Sequence, residues 1–397
     1  MKAVAEESRV RAIKVLQVCT IFLTAQTFIT SVAGYLRARG YDVAVACSGD
    51  EATDGPDLSV DREVAGCPLY FVTIPRTIRP FQDLRAVWHL YRLMRRLRPD
   101  IVHTQTSKAG IVGRLAAWLA GTPVIIHTAH AFPFHPYLSA PVRWAYVLLE
   151  RWAARMTDLI MVDTESVRAD GLQHRIVQDP TKLVTVPMGI DLKKFSPSPR
   201  GPDNLRRTLG FDAKDLVVGT VARLVPDKGL ECFLQMAARI WANRSDTQFL
   251  IVGDGPLRPE LERLADELGI RAKVIFTGHR TDVPALMDAM DLFVLPTLRE
   301  GFGVVFAEAM AMGKATVGSR IGPVAEVVED GITGYLVPPD SPGEFARRAL
   351  ELLGDEAKRR AFGRAGRQRV EKYFDAVRMC ETIEQQYRRL LTLKGIA

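Results

Sequence analysis

The chain has 397 residues, 47% of them hydrophobic and 25% charged, a globular composition that excludes a disordered, collagen-like or coiled-coil protein. Such a length predicts two domains, each able to bury its own core without a disulfide or metal staple. Lys and Arg outnumber Asp and Glu by 53 to 46, a formal charge of +7 that favours anionic partners without choosing among nucleic acid, acidic lipid and a phosphorylated small substrate.

The five cysteines, Cys19, Cys47, Cys67, Cys232 and Cys380, are odd in number and scattered, with no C-x-x-C pair, so they read as buried reduced thiols in a reducing compartment. The segment from Val15 to Leu36 carries no charge, follows Arg9, Arg11 and Lys14, and contains Ser31-Val32-Ala33, features that an export signal shares. Glu6 and Glu7 interrupt the basic region, and Gln17, Thr20, Thr24, Gln26 and Thr27 make the stretch too polar for a membrane span. Cleavage there would also remove a first core strand, Lys14–Cys19. A cytoplasmic location is therefore expected.

In chain order, apolar runs alternate with amphipathic segments of helix length. The strand at Lys14–Cys19 is followed by a helix at Phe28–Arg39, strands at Asp42–Cys47 and Leu69–Thr73, and a helix at Phe81–Leu97. The rhythm continues with strand Ile101–Thr104, helix Ala109–Leu119, strand Val124–Thr128, a helix near Pro141–Met156, and strands Leu159–Val162 and Leu183–Val186. Near-continuous Val, Ile and Leu strands of this kind belong to parallel sheets covered on both faces. A proline-rich stretch between Phe195 and Pro202 suits a linker. A second alternation then has strands at Val217–Thr220, Gln248–Val252, Val274–Thr277 and Leu292–Leu295, with helices near Leu230–Trp241, Leu257–Leu268, Val283–Met290 and Val304–Met312. From about Ser341 the tail is helical and rich in Arg and Glu. Two doubly wound α/β halves of this type place the default ligand site in a cleft between their sheet edges.

The most specific constellation is Glu300-Gly301-Phe302-Gly303-Val304-Val305-Phe306-Ala307-Glu308, directly after a strand. Its two glycines leave backbone amides open to close approach, and the following helix offers its positive end to an anion such as a diphosphate. Glu308 stands in an otherwise apolar helix, where a carboxylate needs a hydroxyl or cation partner. A glycine-rich turn with a capping glutamate is the plainer account of the same residues. Arg223 and Lys228 bracket the loop after the strand Val217–Thr220. Together they can neutralise a diphosphate leaving group without a divalent metal, whereas either alone more often reads as a solvated charge. Gly253-Asp254-Gly255-Pro256 lacks the G-x-G-x-x-G spacing, since Arg258 occupies the third glycine position, and reads as a turn and helix start near a nucleotide. In the first half, His130 follows the strand Val124–Thr128, where an imidazole can bond a sugar hydroxyl or phosphate or simply serve the structure. His103 and Lys108 are weaker candidates, equally suited to core and surface roles.

Arg223, Lys228, the Glu300/Glu308 pair, Gly253-Asp254-Gly255-Pro256, Pro187-Met188-Gly189-Ile190-Asp191 and Asp330-Gly331-Ile332-Thr333-Gly334 occur in one order. Together they resemble the retaining GT-B glycosyltransferases of family 4, and the resemblance covers nearly the whole chain. His103-Thr104-Gln105-Thr106-Ser107-Lys108-Ala109-Gly110 and the segment His127 to His135 are similar to transferases of bacterial surface and exopolysaccharide assembly. The resemblance implies an N-terminal acceptor-binding Rossmann-like domain over 1–194, a nucleotide-sugar donor domain over 195–372, and a last helix, 373–397, packing back on the first. It implies that Arg223 and Lys228 hold the donor diphosphate, Glu308 the ribose hydroxyls, and Glu300 with Gly253 and the Gly301, Phe302, Gly303, Val304 and Val305 backbone the rest of the donor, with His130 beside the reacting sugar. Transfer then retains the anomeric configuration by same-face attack as the diphosphate withdraws. The implied donor is a UDP-sugar and the acceptor a glycan or polyprenyl-diphosphate-linked sugar, with no metal, no further cofactor and no nucleic acid.

The sequence departs from that pattern at Thr20-Ile21-Phe22-Leu23-Thr24, where many members carry a Gly-Gly pair, at Gln105 and Ala131, which replace a frequent His and Gly, and at Ala315, where Pro is common. Peripheral contact with the inner face of the cell membrane is a separate expectation. It rests on Arg85, Arg92, Arg95, Arg96 and Arg98 with Trp144, Tyr146 and Trp152. A nucleotide-sugar epimerase of the same architecture is the alternative enzyme, and a two-domain binding protein the non-enzymatic one.

Overall fold

A computed structural model of the chain describes residues 11–22, 25–48, 62–75, 79–135, 138–199, 201–212 and 214–396. Residues 1–10, with Glu6, Glu7 and Arg9, and Leu23 and Thr24 of the loop after Cys19, lie outside the described residues. The chain divides into two compact units, one comprising 1–163, 168–186 and 380–397, the other 164–167 and 187–379.

The first unit is built on eight strands: β1 (Lys14–Ile21), β2 (Asp42–Ser48), β3 (Arg62–Val64), β4 (Cys67–Phe71), β5 (Ile101–Gln105), β6 (Val124–Ala129), β7 (Leu159–Val162) and β8 (Leu183–Thr185). Their order is β3-β4-β2-β1-β5-β6-β7-β8, parallel throughout except that β3 runs antiparallel to β4. The intervening helices are α1 (Thr30–Ala38), α2 (Pro80–Leu97), α3 (Ser107–Ala120), α4 (Ala140–Ala154) and α5 (Glu165–Gln173). Proline at the first position starts α2, and Arg98 at φ +49° ends it. Ala86, Leu90, Leu93 and Met94 of α2 recur at helical spacing and bury against Leu16, Val18, Val102 and Val112, which gives this helix one apolar face.

The polar interior of this unit is selective. Arg114 of α3 and Glu150 of α4 are fully buried and paired at 2.8 Å, and Arg114 Nε also donates to the Gly110 carbonyl at 2.8 Å. Burial pushes the neighbouring His127 imidazole well below its usual range, and the Arg114 charge adds to that.

In the second unit the strands β9 (Leu216–Val221), β10 (Thr247–Val252), β11 (Val274–Phe276), β12 (Leu292–Leu295), β13 (Ala315–Ser319) and β14 (Gly334–Val337) form an all-parallel sheet in the order β11-β10-β9-β12-β13-β14. Its helices are α6 (Asp203–Thr208), α7 (Leu230–Asn243), α8 (Arg258–Glu267), α9 (Val283–Asp288), α10 (Val304–Ala311), α11 (Gly322–Val327), α12 (Pro342–Gly354) and α13 (Glu356–Tyr373). Edge-to-face ring pairs, Phe233 with Phe249 and Phe293 with Phe306, tie helices to strands in the core. Residues 187–194 belong to this unit through backbone pairing, with Ile190 N donating to the Phe374 carbonyl at 2.7 Å and Ala376 N donating to that of Ile190 at 3.1 Å.

Both units are α/β with a parallel sheet, as the rhythm of the sequence predicts. Strands β3, β13 and β14 do not appear in that reading, because Arg-Glu-Val, Ala-Thr-Val-Gly-Ser and Gly-Tyr-Leu-Val are short or mixed and acquire strand character only from a neighbour's ladder.

Glu150→Ala leaves the Arg114 guanidinium buried without its anion, so we expect a loss of about 3–5 kcal/mol in urea unfolding, largely relieved when Arg114→Met is added.

Candidate functional site

In the second unit the strand order has the 3-2-1-4-5-6 form, and the direction of winding reverses between β9 and β12. At such a switch point the loops at the carboxyl ends of the two central strands part, one following its helix to each side, and leave a crevice. The loop after β9 carries Arg223 and Lys228, and the loop after β12 carries Glu300, Gly301 and Gly303.

The loops are held together by backbone contacts that glycine alone permits. Gly229 has φ +64°, and a Cβ there would lie 2.0 Å from the Pro296 carbonyl oxygen. Gly253 has φ +132°, and a Cβ would stand 1.9 Å from the Ala222 oxygen. Leu224 N donates to the Asp254 carbonyl at 3.0 Å, and Leu298 N donates to that of Asp227 at 2.8 Å. The buried Thr297 hydroxyl lies 3.0 Å from the carbonyls of both Asp227 and Arg299. These bonds fix the exits of β9, β10 and β12 against one another.

Across the switch point Lys228 Nζ donates to Glu300 Oε1 at 2.7 Å, both side chains being mostly buried. Arg223 behaves differently. It is exposed, and its guanidinium has no ion-pair or hydrogen-bond partner among the described residues. The Glu300 loop leads into α10 through Gly303, whose φ of +90° sets the helix start. Phe302 turns inward and packs edge-on against Phe374 at 5.2 Å. The Gly301 carbonyl accepts from the Thr164 hydroxyl at 3.2 Å, and Val304 and Val305 open the helix, partly buried.

Glu308 sits one turn further along α10. Its side chain still reaches solvent in part, but its carboxyl is closely surrounded by protein and accepts no hydrogen bond among the described residues. Desolvation pushes it up to about 8 from an ordinary 4.5, with the Lys194 charge as the opposing influence. An unbonded carboxyl in such a place is suited to a ligand's hydroxyl groups.

The other two motifs prove to be turns. The Asp191 carboxylate accepts from the amides of Lys193 and Lys194 at 2.9 and 3.1 Å. The Asp330 carboxylate accepts from Leu336 N at 2.9 Å and pairs with Arg320 at 2.6 Å.

In the first unit His130 lies at the end of a chain of polar groups. Its Nδ1 donates to Asp163 Oδ2 at 2.9 Å, its Nε2 faces Gln105 Oε1 at 3.4 Å, and Phe28 stacks on the ring with centroids 4.4 Å apart. Phe28 belongs to a single π-helical turn, Ala25–Ile29, a local irregularity that frequently marks functional sites. Gln105 Nε2 donates to Gln17 Oε1 at 3.3 Å, and Gln17 Nε2 donates to the Tyr387 hydroxyl at 2.9 Å. That hydroxyl is hydrogen-bonded to His103 Nδ1 at 2.6 Å, and His103 Nε2 to Thr128 Oγ1 at 2.7 Å. Burial, assisted by His130, pushes His103 down to about 3, so it is a neutral core histidine. Lys108 is likewise engaged, bonded to Asp83 at 2.6 Å. Sequence reasoning did not single out Asp163, Phe28 or Tyr387. Asp163 lies 33 positions from His130 and Tyr387 lies 284 from His103, and no local spacing signals either pairing.

Two family descriptions match the chain. Residues 24–189 match the glycosyl transferase 4-like domain, and residues 202–369 match the glycosyl transferases group 1. An Escherichia coli enzyme, UDP-Gal:alpha-D-GlcNAc-diphosphoundecaprenol alpha-1,3-galactosyltransferase, is 31% identical over 322 residues, 80% of this chain and 83% of its own. The chain belongs to the group 1, family 4 glycosyltransferases. The capsular polysaccharide biosynthesis glycosyltransferase CapM of Staphylococcus aureus is 27% identical to this transferase over 371 residues, covering 90% and 92% of the two chains. Among solved structures, Anabaena Alr3699/HepE in complex with UDP and glucose has a TM-score of 0.82 at 23% identity over 95% of this chain and 100% of its own. Sucrose-phosphate synthase from Thermosynechococcus elongatus has a TM-score of 0.81 at 21% identity, over 96% of this chain and 100% of its own. These likenesses establish the GT-B fold class for the transferase. The epimerase alternative finds no support, since the relatives named here are transferases. Among the described residues no three His, Cys, Asp or Glu side chains are grouped to hold a metal ion.

Because the Glu308 carboxyl is raised in the fold, the unfolded chain releases this proton first, and stability falls as pH rises from about 4.5 to about 8. Glu308→Gln removes that dependence. We expect the variant to be more stable than the native transferase at pH 8 in chemical denaturation, with the gain vanishing near pH 4.5.

Proposed function

We propose that this transferase moves a hexosyl group, with retention at the anomeric carbon and without a metal ion, from a nucleotide-diphosphate sugar to a glycan or polyprenyl-diphosphate-linked sugar in bacterial polysaccharide biosynthesis. A UDP-sugar is the favoured donor, and the reaction takes place in the cytoplasm at the inner face of the cell membrane. The Lys228–Glu300 pair across the switch point of the second sheet carries this reading. A cation and an anion held at one crevice, beside the amide-rich start of α10, suit a ligand with a diphosphate at one end and hydroxyl groups at the other.

In this reading Lys228 and the exposed Arg223 neutralise the charge that develops on the departing diphosphate, a task that a divalent ion performs in other sites. Glu300, with the Gly301–Gly303 backbone, orients the donor sugar, Glu308 accepts the ribose hydroxyls, and Gly253 lets the backbone close on the nucleotide. His130, oriented by Asp163, serves the transferred sugar from the first unit. The acceptor hydroxyl attacks the anomeric carbon on the face the diphosphate leaves. The new carbon–oxygen bond forms as the old one breaks, and the hydroxyl proton passes to the leaving diphosphate. Support for a lipid-linked acceptor comes from the name of the E. coli relative, and support for the polysaccharide setting from that of CapM.

Lys228→Ala and Glu300→Gln should each leave the transferase folded, with a lowered melting temperature because the partner charge loses its counterion, and should lower transfer by at least about 100-fold. Near-native turnover in either variant overturns the site assignment. With an α-linked donor, proton NMR of the product should show an α linkage, and the rate should persist in a chelator. A β product would refute retention, and loss of activity reversed by added magnesium would refute metal independence.

A further inference from the structure

Helices α2, α3 and α4 of the first unit lie side by side, α3 packing against both of the others. Each buries one face within the unit and turns the other outward. The outward faces are not those of an ordinary soluble helix layer. Phe81, Leu84 and Trp88 form a stripe on α2 at helical spacing, with Phe81 91% exposed. Trp144, Leu148 and Trp152 form a second stripe on α4, about half exposed, and Trp118 stands at the end of α3. Four of the chain's five tryptophans therefore face outward on these three helices, although tryptophan is usually well buried.

Among the described residues of these three helices, the exposed charges have one sign. Arg85, Arg92, Arg95 and Arg96 are exposed on α2, and Arg143 and Arg151 are partly exposed on α4. The acidic residues of the three helices are Asp83 and Glu150, and both are already neutralised, by Lys108 at 2.6 Å and by Arg114 at 2.8 Å. No helix among the described residues is long and apolar enough to cross a membrane.

We infer that the outward face of α2, α3 and α4 docks on an anionic lipid bilayer, the aromatic and leucine side chains entering the headgroup boundary and the arginines meeting lipid phosphates. Bulky apolar side chains interleaved with unopposed guanidinium groups match an interface whose outer layer is negative and whose inner layer is hydrocarbon. An acidic protein would use the arginines but leave Phe81 and Leu84 at the rim, and a second copy of this chain would set arginine against arginine. This deepens the membrane placement proposed above and does not depend on the donor site.

The test is co-sedimentation of the full chain with vesicles, without donor or acceptor, so that it fails or succeeds separately from the transfer assay. Binding to phosphatidylglycerol-containing vesicles should exceed that to pure phosphatidylcholine by at least about tenfold and weaken in high salt. The double variant Trp88→Ser/Trp144→Ser and the variant Arg92→Gln/Arg95→Gln/Arg96→Gln should each weaken it by about tenfold or more, with melting temperature and transfer to a soluble acceptor unchanged. Absence of binding to the anionic vesicles, or native-like binding by both folded variants, overturns the proposal. Self-association abolished by Trp88→Ser, with no vesicle binding, would also overturn it and assign the face to a second copy.

Discussion

A parallel sheet that winds outward in both directions from one central strand must leave a gap where the connections part, and the second unit is organised around that gap. The Lys228 ammonium and the Glu300 carboxylate meet there at 2.7 Å, on loops that leave β9 and β12. Two mostly buried opposite charges at such a distance compensate part of each other's desolvation in a place where a lone charge would be costly. The surrounding backbone serves the same end. Thr297, Gly229 and Gly253 hold three strand exits close together, so the backbones from which the two charged side chains extend are tied to one another. Glu308 lies beside this arrangement without a hydrogen-bond partner among the described residues, and desolvation raises its carboxyl.

The first unit applies the opposite solution to the same constraint. Its sheet has its own reversal between β1 and β5, and the polar groups near it satisfy one another through a continuous chain from Asp163 and His130 to Gln105, Gln17, Tyr387 and His103. Each member of such a chain limits the donor and acceptor roles of the next, so the orientation of the His130 ring is coupled to Tyr387 on the last helix, Ala376–Leu393. Only the His130 end, stacked under Phe28, reaches solvent to an appreciable degree.

Charge is sorted between interior and surface along the same helices. Acidic residues on α2 and α4 are consumed by internal pairs, while the arginines on the outer side have no carboxylate partner among the described residues. The positive balance of the whole chain is thus concentrated in part on one face of one unit, next to its exposed aromatic residues.

The β-α alternation and the motifs at strand exits were legible in the sequence, because strands buried on both faces read as unbroken apolar runs and glycine-rich exits interrupt them. Gly253, Gly301, Gly303 and Lys228 could be placed on their loops from local pattern alone. The parts that stayed hidden depend on neighbours distant in the chain. Strand β13 is recognisable only beside β12, and β14 only beside β13, and His103, a candidate in the sequence along with His130, proves to be a neutral core group. Lys228 and Arg223 look alike on one loop, yet one is paired and mostly buried and the other exposed. The sequence by itself determined two α/β units and the loops that carry the polar groups, since both follow from local periodicity and turn chemistry. Only the tertiary structure decided which charges meet, which carboxyl loses its water and which histidine keeps a free edge, because each is a property of packing between segments tens to hundreds of residues apart.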